Sequence, residues 1–215
     1  MSVPQQPDGY LAVPATGVGR PVLVLHPWWG LNETIRAFCR RLAAEGFVVF
    51  APDLYHGRVT DQIAEADVLS SSLGDAAQVD VAAGAAYVRE QAHVGDGALA
   101  VIGFSMGAYY ALAFSTADPE HVRQVVLFYG TGAGDFSQAR AAYLGHFAEA
   151  DPYEPAEYVD GLEAELRAAG CPATFYRYPN TGHWFFESDR ADAYNAEAAE
   201  LAWERTLAFL RDTPG

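Results

Sequence analysis

The chain has 215 residues, 51% of them apolar and 19% charged, a balance that suits one α/β domain with a sizeable core and excludes a disordered chain. Its formal net charge of −15 argues against a nucleic-acid backbone or an anionic membrane surface as partner. All 13 cationic side chains are arginine, which excludes Schiff-base chemistry, pyridoxal phosphate attachment and a lysine-bearing P-loop.

The opening stretch MSVPQQPDGY lacks the basic start and apolar run of a signal peptide. No apolar run approaches the length of a membrane span, so a soluble, cytoplasmic protein is expected. PVLVLH (21–26) is a short apolar run ending at Pro27 and suits a buried strand. Asn32 is placed to cap a helix in which Ile35, Phe38, Cys39 and Leu42 recur at helical spacing, and Gly46 marks its stop. FVVFAP (47–52) predicts a second buried strand. Residues 61–74 are polar and serine-rich with weak periodicity, which predicts a loop holding at most a short helix. Asp75 to about Gln91 predicts a helix, ALAVIGF (98–104) a strand, and MGAYYALAFST a helix that starts directly behind Ser105.

QVVLFYG (124–130) then predicts a strand and AAYLGHF (141–147) a weaker one. A helix is expected around 155–169, stopped by Gly170, then the strand ATFYRYP (173–179). The last helix, about 190–211, sets Ala199, Trp203, Leu207 and Leu210 on one face. Buried strands alternating with amphipathic helices predict an α/β fold, a mostly parallel central sheet with helices on both faces. No repeat, linker or low-complexity tract divides the chain, so residues 1–215 are expected to form one domain. Two isolated cysteines, Cys39 and Cys171, make neither a disulfide framework nor a zinc site.

Gly103-Phe104-Ser105-Met106-Gly107 is a G-x-S-x-G pattern at a strand-to-helix corner. Such a turn needs small residues beside the serine, because the backbone there is crowded. It lifts the hydroxyl clear of the sheet and points the first amides of the new helix at the same spot. Ser105 is therefore the candidate nucleophile and the Met106 amide a candidate oxyanion donor.

A serine hydroxyl needs a histidine base and an acid to orient it. Among six histidines, His183 in NTGHWFF lies just beyond a predicted strand, beside Gly182. His26 also ends a strand, where a hydrogen-bonded structural role suits it; His56 lies in a loop. His93 and His121 read as surface residues, and His146 as a polar group satisfied within a strand. No H-x-H or H-E-x-x-H spacing suggests a metal, and no cofactor is expected. The acid belongs between Ser105 and His183, where GHFAEADPYEP (145–155) offers Glu149, Asp151 and Glu154. Asp151, in a turn before Pro152, is preferred, with Glu149 as its main competitor; Asp135 follows an earlier strand.

Together, HPWWGLNETIRAFCRRLAAEGFVVFAPDLYHG, GFSMGA, GHFAEADPYEP, YPNTGHWFF and WERTLAFL resemble the dienelactone hydrolase family of α/β-hydrolases, from about residue 21 to residue 211. The resemblance implies an α/β-hydrolase fold without a large lid domain. It implies Asp151 as the acid and the Trp28 backbone amide as second oxyanion donor. The best-known members carry cysteine as nucleophile, so this chain resembles a serine variant. They also carry a glutamate where Pro27 stands, and an arginine for the substrate carboxylate where Glu187 stands. No arginine occurs between Val59 and Val88.

Glu187 and the net charge together predict an uncharged substrate. Trp28, Trp29, Tyr55, Tyr109, Trp184 and Phe185 fall in motifs expected to face the site, though core packing suits each equally well. The expected activity is serine-dependent hydrolysis of a small carboxylic ester or lactone through Ser105, Asp151 and His183, with Trp29, Tyr55, Tyr109 and Trp184 as substrate contacts. Alternatives are a catalytically silent ligand-binding member of the fold, or a perhydrolase using the same triad. A monomer or homodimer is expected.

Overall fold

A computed structural model describes residues 6–93 and 97–212; part of the opening stretch read for targeting lies outside them. The chain divides into two compact units, Met1–Val101 and Ile102–Gly215. Numbered along the chain, its strands lie in the order 1-3-2-4-5-6-7 in one seven-stranded sheet.

The first unit holds β1 (Gly9–Ala12), β2 (Pro21–Leu25), α1 (Glu33–Ala44), β3 (Val48–Pro52), α2 (Ile63–Ser71) and α3 (Ala76–Ala92). β2 and β3 are buried at every position and pair in parallel, Val22 opposite Val49. Strands buried on both faces read as continuous apolar runs, as these two do. α1 begins where the Asn32 side chain accepts from the Ile35 amide at 3.1 Å, replacing one of the partners a first helical turn lacks. Its buried stripe is Ile35, Phe38, Cys39, Leu42 and Ala43, and it ends before Gly46, whose φ of +96° suits glycine. α1 packs on β3, and α3 on both β2 and β3.

Two elements differ from expectation. β1 pairs antiparallel with β3, Tyr10 opposite Ala51; its four residues, GYLA, are too few to carry a visible alternation. α2, nine residues long, fills much of a stretch read as a loop holding at most a short helix. Only Ala66 and Leu69 of it are buried, so it has no apolar stripe for a periodicity test to find.

β4 (Leu99–Phe104) contains the division between the units. The second unit continues with α4 (Met106–Ala117), β5 (Val122–Phe128), a short 3-10 turn at Phe136–Gln138, β6 (Ala142–Ala148), α5 (Ala156–Ala168), β7 (Ala173–Tyr178) and α6 (Ala196–Arg211). β5, β6 and β7 run parallel, with Phe128 opposite His146 and Ala148 opposite Tyr178. β6 is buried throughout Tyr143–Phe147, stronger than its sequence suggested. α6 starts at Ala196 rather than near 190, because Asn195 caps it through the Ala198 amide at 3.1 Å and successive turns occupy residues 184–194.

Cys39 and Cys171 are free, buried thiols, and burial pushes the Cys39 thiol up to about 12. Among the described residues no helix is long and apolar enough to cross a membrane.

His146 is fully buried, with Nδ1 2.8 Å from the Tyr178 hydroxyl and Nε2 3.0 Å from Thr206 Oγ1, so it ties β6 to β7 and α6. Burial, and secondly the positive charge of Arg205, lower its pKa from 6.5 to about 3. Between those values the unfolded chain binds the extra proton and the folded one does not. Stability from this residue is thus complete above 6.5 and drains away as pH falls toward 3, at ~1.4 kcal/mol per pH unit within the window. Buried His26, also lowered by desolvation, acts in the same sense. Urea unfolding of wild type between pH 7 and 5 will show stability falling with acidity, and His146→Gln will have a shallower pH slope.

Candidate active site

The second unit presents Ser105 at the corner between β4 and α4, with φ +50°. A non-glycine residue in the left-handed region costs of order 1–3 kcal/mol, so the surroundings must hold it there. The Ser105 amide donates to the Phe128 carbonyl at the end of β5 (2.9 Å), and the Ser105 carbonyl accepts from the Ala108 amide (2.8 Å). Close passage of the chain on either side needs missing side chains. A Cβ at Gly103 would lie 2.3 Å from the Gly107 oxygen, and one at Gly130 2.4 Å from the Ser105 oxygen. Met106 opens α4, so the positive end of that helix stands beside the serine.

His183 follows β7. The loop carrying it is tied down by the Thr181 hydroxyl, which donates to the Tyr178 carbonyl (2.7 Å), and by Thr181's own carbonyl, which accepts from Ala150 (3.1 Å). His183 Nε2 lies 2.9 Å from Ser105 Oγ. Its Nδ1 lies 2.7 Å from Asp151 Oδ2. A carboxylate accepts and does not donate, so Nδ1 carries the proton and Nε2 is left to accept from the serine hydroxyl. Asp151 Oδ1 accepts from the amides of Tyr153 (2.9 Å) and Glu154 (3.1 Å), which fixes the carboxylate's orientation. The side chains of His183 and Asp151 are 4% and 2% exposed; little water competes for their bond.

The structure thus joins Ser105, His183 and Asp151 in one hydrogen-bonded chain. Glu149 stands elsewhere: its Oε2 accepts from the Asn180 amide at 2.8 Å. Glu154 accepts from the Thr131 hydroxyl at 2.6 Å; burial, the larger effect, raises its pKa against these bonds.

Rings surround His183. Trp184 meets it edge-on at 4.9 Å, and Tyr153 and Tyr129 lie at 5.0 Å. Arg190 lies 5.0 Å over the Trp184 ring. Tyr129 and Tyr153 escaped the sequence reading. Their signal was position, directly before Gly130 and two residues after Asp151. Tyr109 is 48% exposed and meets Tyr110 edge-on, while Phe185 is fully buried.

Glu187 corrects an expectation. It was read as a carboxylate facing an anionic substrate, but it is wholly buried and its Oε1 accepts from the Tyr129 hydroxyl at 2.8 Å. It is an internal hydrogen-bonding partner, so it supplies no argument about substrate charge.

In the first unit, Trp29 and Tyr55 are buried, and Trp28 lies in the turn closed by the Gly30 amide on the Pro27 carbonyl (3.2 Å). His26 has Nδ1 2.7 Å from the Pro27 carbonyl, and its Nε2 accepts from the Leu54 amide (3.2 Å). It pins the loops after β2 and β3 together. His56 lies 3.3 Å from Asp8 and 3.5 Å from Asp80. Among the described residues no group of three or more His, Cys, Asp or Glu side chains converges as a metal ion would need.

The model of the Dienelactone hydrolase family matches residues 8–213. The chain is 30% identical, over 99% of its own length and 81% of the relative's, to the Escherichia coli (strain K12) protein named "Putative carboxymethylenebutenolidase". It is 28% identical to Protein usf of Aquifex pyrophilus, covering 95% of this chain and 92% of that one. Among solved structures it resembles the one titled "Putative Dienelactone Hydrolase" from Klebsiella pneumoniae, with TM-score 0.83 and 29% identity over 95% of this chain and 92% of that one. The sheet and helices are those of the α/β-hydrolase fold.

The corner geometry sets a measurable expectation. Gly103→Ala forces a methyl against the Gly107 backbone, which cannot rotate away as a flexible side chain would. It will lower the unfolding free energy by ~1–3 kcal/mol, read as a lower urea midpoint.

Proposed function

Because this chain belongs to the dienelactone hydrolase family, we propose that it is a serine hydrolase cleaving a small carboxylic ester or lactone. The observation that carries the reading is the continuous chain Ser105 Oγ, His183 Nε2, His183 Nδ1, Asp151 Oδ2, at 2.9 and 2.7 Å, ending at a serine in a strained corner.

In this reading Ser105 Oγ bonds to the carbonyl carbon while its proton passes to His183 Nε2. Asp151 keeps the imidazole in the tautomer that accepts there and stabilises its charged form. The negative charge that develops on the carbonyl oxygen falls to the Met106 amide; the second donor, assigned by sequence resemblance, is the Trp28 amide. Collapse of the tetrahedral intermediate breaks the bond to the alkoxy oxygen, which takes the proton from His183. Water then repeats the sequence on the acyl-enzyme, delivering a proton to His183 and returning one to Ser105. With a lactone, the alcohol released in the first half stays tethered to the acyl group.

The substrate is proposed to be uncharged. With Glu187 internal, the support that remains is the net charge of −15, which disfavours anions through long-range repulsion, and the aromatic rings around His183. The name of the Escherichia coli relative, "Putative carboxymethylenebutenolidase", makes lactones the first ester class to try.

Reaction with a fluorophosphonate followed by intact mass will give a single adduct on wild type, none on Ser105→Ala and a slowed reaction on His183→Ala. With p-nitrophenyl acetate, Asp151→Asn will lower kcat on the order of 1,000-fold or more, whereas Glu149→Gln will stay within about twofold of wild type. Absence of any adduct on folded wild type overturns the proposal.

A further inference from the structure

Two bulky residues beside His183 have left-handed backbones, Tyr129 at φ +36° and Trp184 at φ +67°. Such conformations cost of order 1–3 kcal/mol each and persist only where the surroundings enforce them. At Tyr129 the enforcement is visible. Its amide donates to the His146 carbonyl at 2.8 Å, and the next residue, Gly130, runs against the Ser105 backbone. Its ring lies edge-on to His183 at 5.0 Å and to Phe185 at 5.5 Å. Its hydroxyl donates to Glu187 Oε1 at 2.8 Å. Burial, first, and the neighbouring Glu187 carboxyl, second, hold this phenol well above its usual pKa, so the proton stays in place to be donated.

Glu187 closes the turn that His183 begins. Its amide donates to the Trp184 carbonyl at 2.9 Å, and its own carbonyl accepts from Arg190 at 3.0 Å. Tyr129 and Glu187 are both fully buried. A wholly buried carboxyl is expensive to desolvate, and an apolar residue would fill the space at lower cost. The bond has a geometric consequence that an apolar contact lacks. It fastens the far end of the His183 turn to the residue that follows Phe128, whose carbonyl holds the Ser105 amide. Asp151 fixes one edge of the imidazole, while the Tyr129 ring and the fastened turn limit how the other edge can tilt.

We propose that Tyr129 and Glu187 are a positioning pair, holding the His183 turn to the end of β5 so that Nε2 stays within reach of Ser105 Oγ. The inference rests on the reading in which His183 is the base for Ser105. The pair touches no reacting atom and acts through His183. Misplacement of a catalytic group by about 1 Å costs on the order of 100-fold in rate, so loosening the turn should appear in turnover rather than in binding.

The test compares full-length wild type, Tyr129→Phe and Glu187→Gln for p-nitrophenyl acetate kcat and KM, fluorophosphonate labelling rate and urea midpoint. Tyr129→Phe removes only the donor. Its kcat and labelling rate should fall together by roughly 10- to 100-fold, with KM within about twofold. Glu187→Gln keeps an oxygen that accepts from Tyr129, and its kcat should stay within about threefold of wild type. A Tyr129→Phe protein with a lower urea midpoint but wild-type kcat and labelling would overturn the inference, leaving the pair a packing element. Equal losses in the two variants would overturn it too, since the carboxylate charge rather than the bond would then matter. If Tyr129→Phe does not fold, the double variant Tyr129→Phe with Glu187→Leu removes donor and acceptor of this bond together, and the same kcat loss is expected of it. Wild type that labels at Ser105 alongside an unaltered Tyr129→Phe removes this inference alone. Wild type that does not label removes the hydrolase reading, and this inference with it.

Discussion

The left-handed backbone of Ser105 is the constraint around which the second unit is arranged. A serine does not adopt φ +50° unaided, and its amide is held there by the Phe128 carbonyl. The corner therefore cannot be described by β4 and α4 alone, because β5 must end where that carbonyl is needed. Immediately after it the chain must pass close enough to the Ser105 oxygen that position 130 tolerates no Cβ. Gly103, Ser105, Phe128 and Gly130 answer one steric requirement at four places in the sequence.

Parallel pairing explains how three separate loops come to share that corner. β5, β6 and β7 run in one direction, so their C-terminal ends lie along one edge and the loops that leave them are neighbours. Tyr129 leaves β5, Asp151 follows β6 and His183 follows β7. The Asp151 and His183 loops are cross-tied by backbone, Glu149 to Tyr178 and Ala150 to Thr181, both at 3.1 Å. These ties do not depend on side-chain rotamers. The carboxylate and imidazole are thus delivered within bonding distance by the sheet, and the two amides on Asp151 Oδ1 supply the last orientation.

What could be read from the sequence follows from how local each cause is. The strand–serine–helix corner is written in five consecutive residues, because its steric need is met mostly by its immediate neighbours. α1 and α6 announce themselves by the helical spacing of their buried residues, and β2 and β3 by unbroken apolar runs. The choice between Asp151 and Glu149 stays open in the sequence, since both follow β6 and both are carboxylates. It depends on which one a loop from β7 happens to face. Tyr129 and Tyr153 were invisible for the same reason: a tyrosine at a strand end or in a turn looks like packing until the histidine 54 or 30 residues further on is folded against it. His146 shows the opposite case. A lone histidine inside an apolar strand implies buried partners, and Tyr178 and Thr206 provide them.

Glu187 shows how far burial can change what a charge means. At its sequence position a carboxylate in place of an arginine suggests a site that repels anions, a conclusion that requires the group to meet the substrate. Fully buried and accepting from Tyr129, it meets the underside of the His183 turn instead. An arginine there would bring five donors and an obligatory positive charge, and would leave the Tyr129 hydroxyl facing a group that cannot accept. The identity of residue 187 is therefore coupled to that of residue 129. What the carboxyl at this position supplies is an acceptor for the Tyr129 hydroxyl. On the proposed reading, residue 187 therefore serves the base through Tyr129 and says nothing about the charge of the substrate.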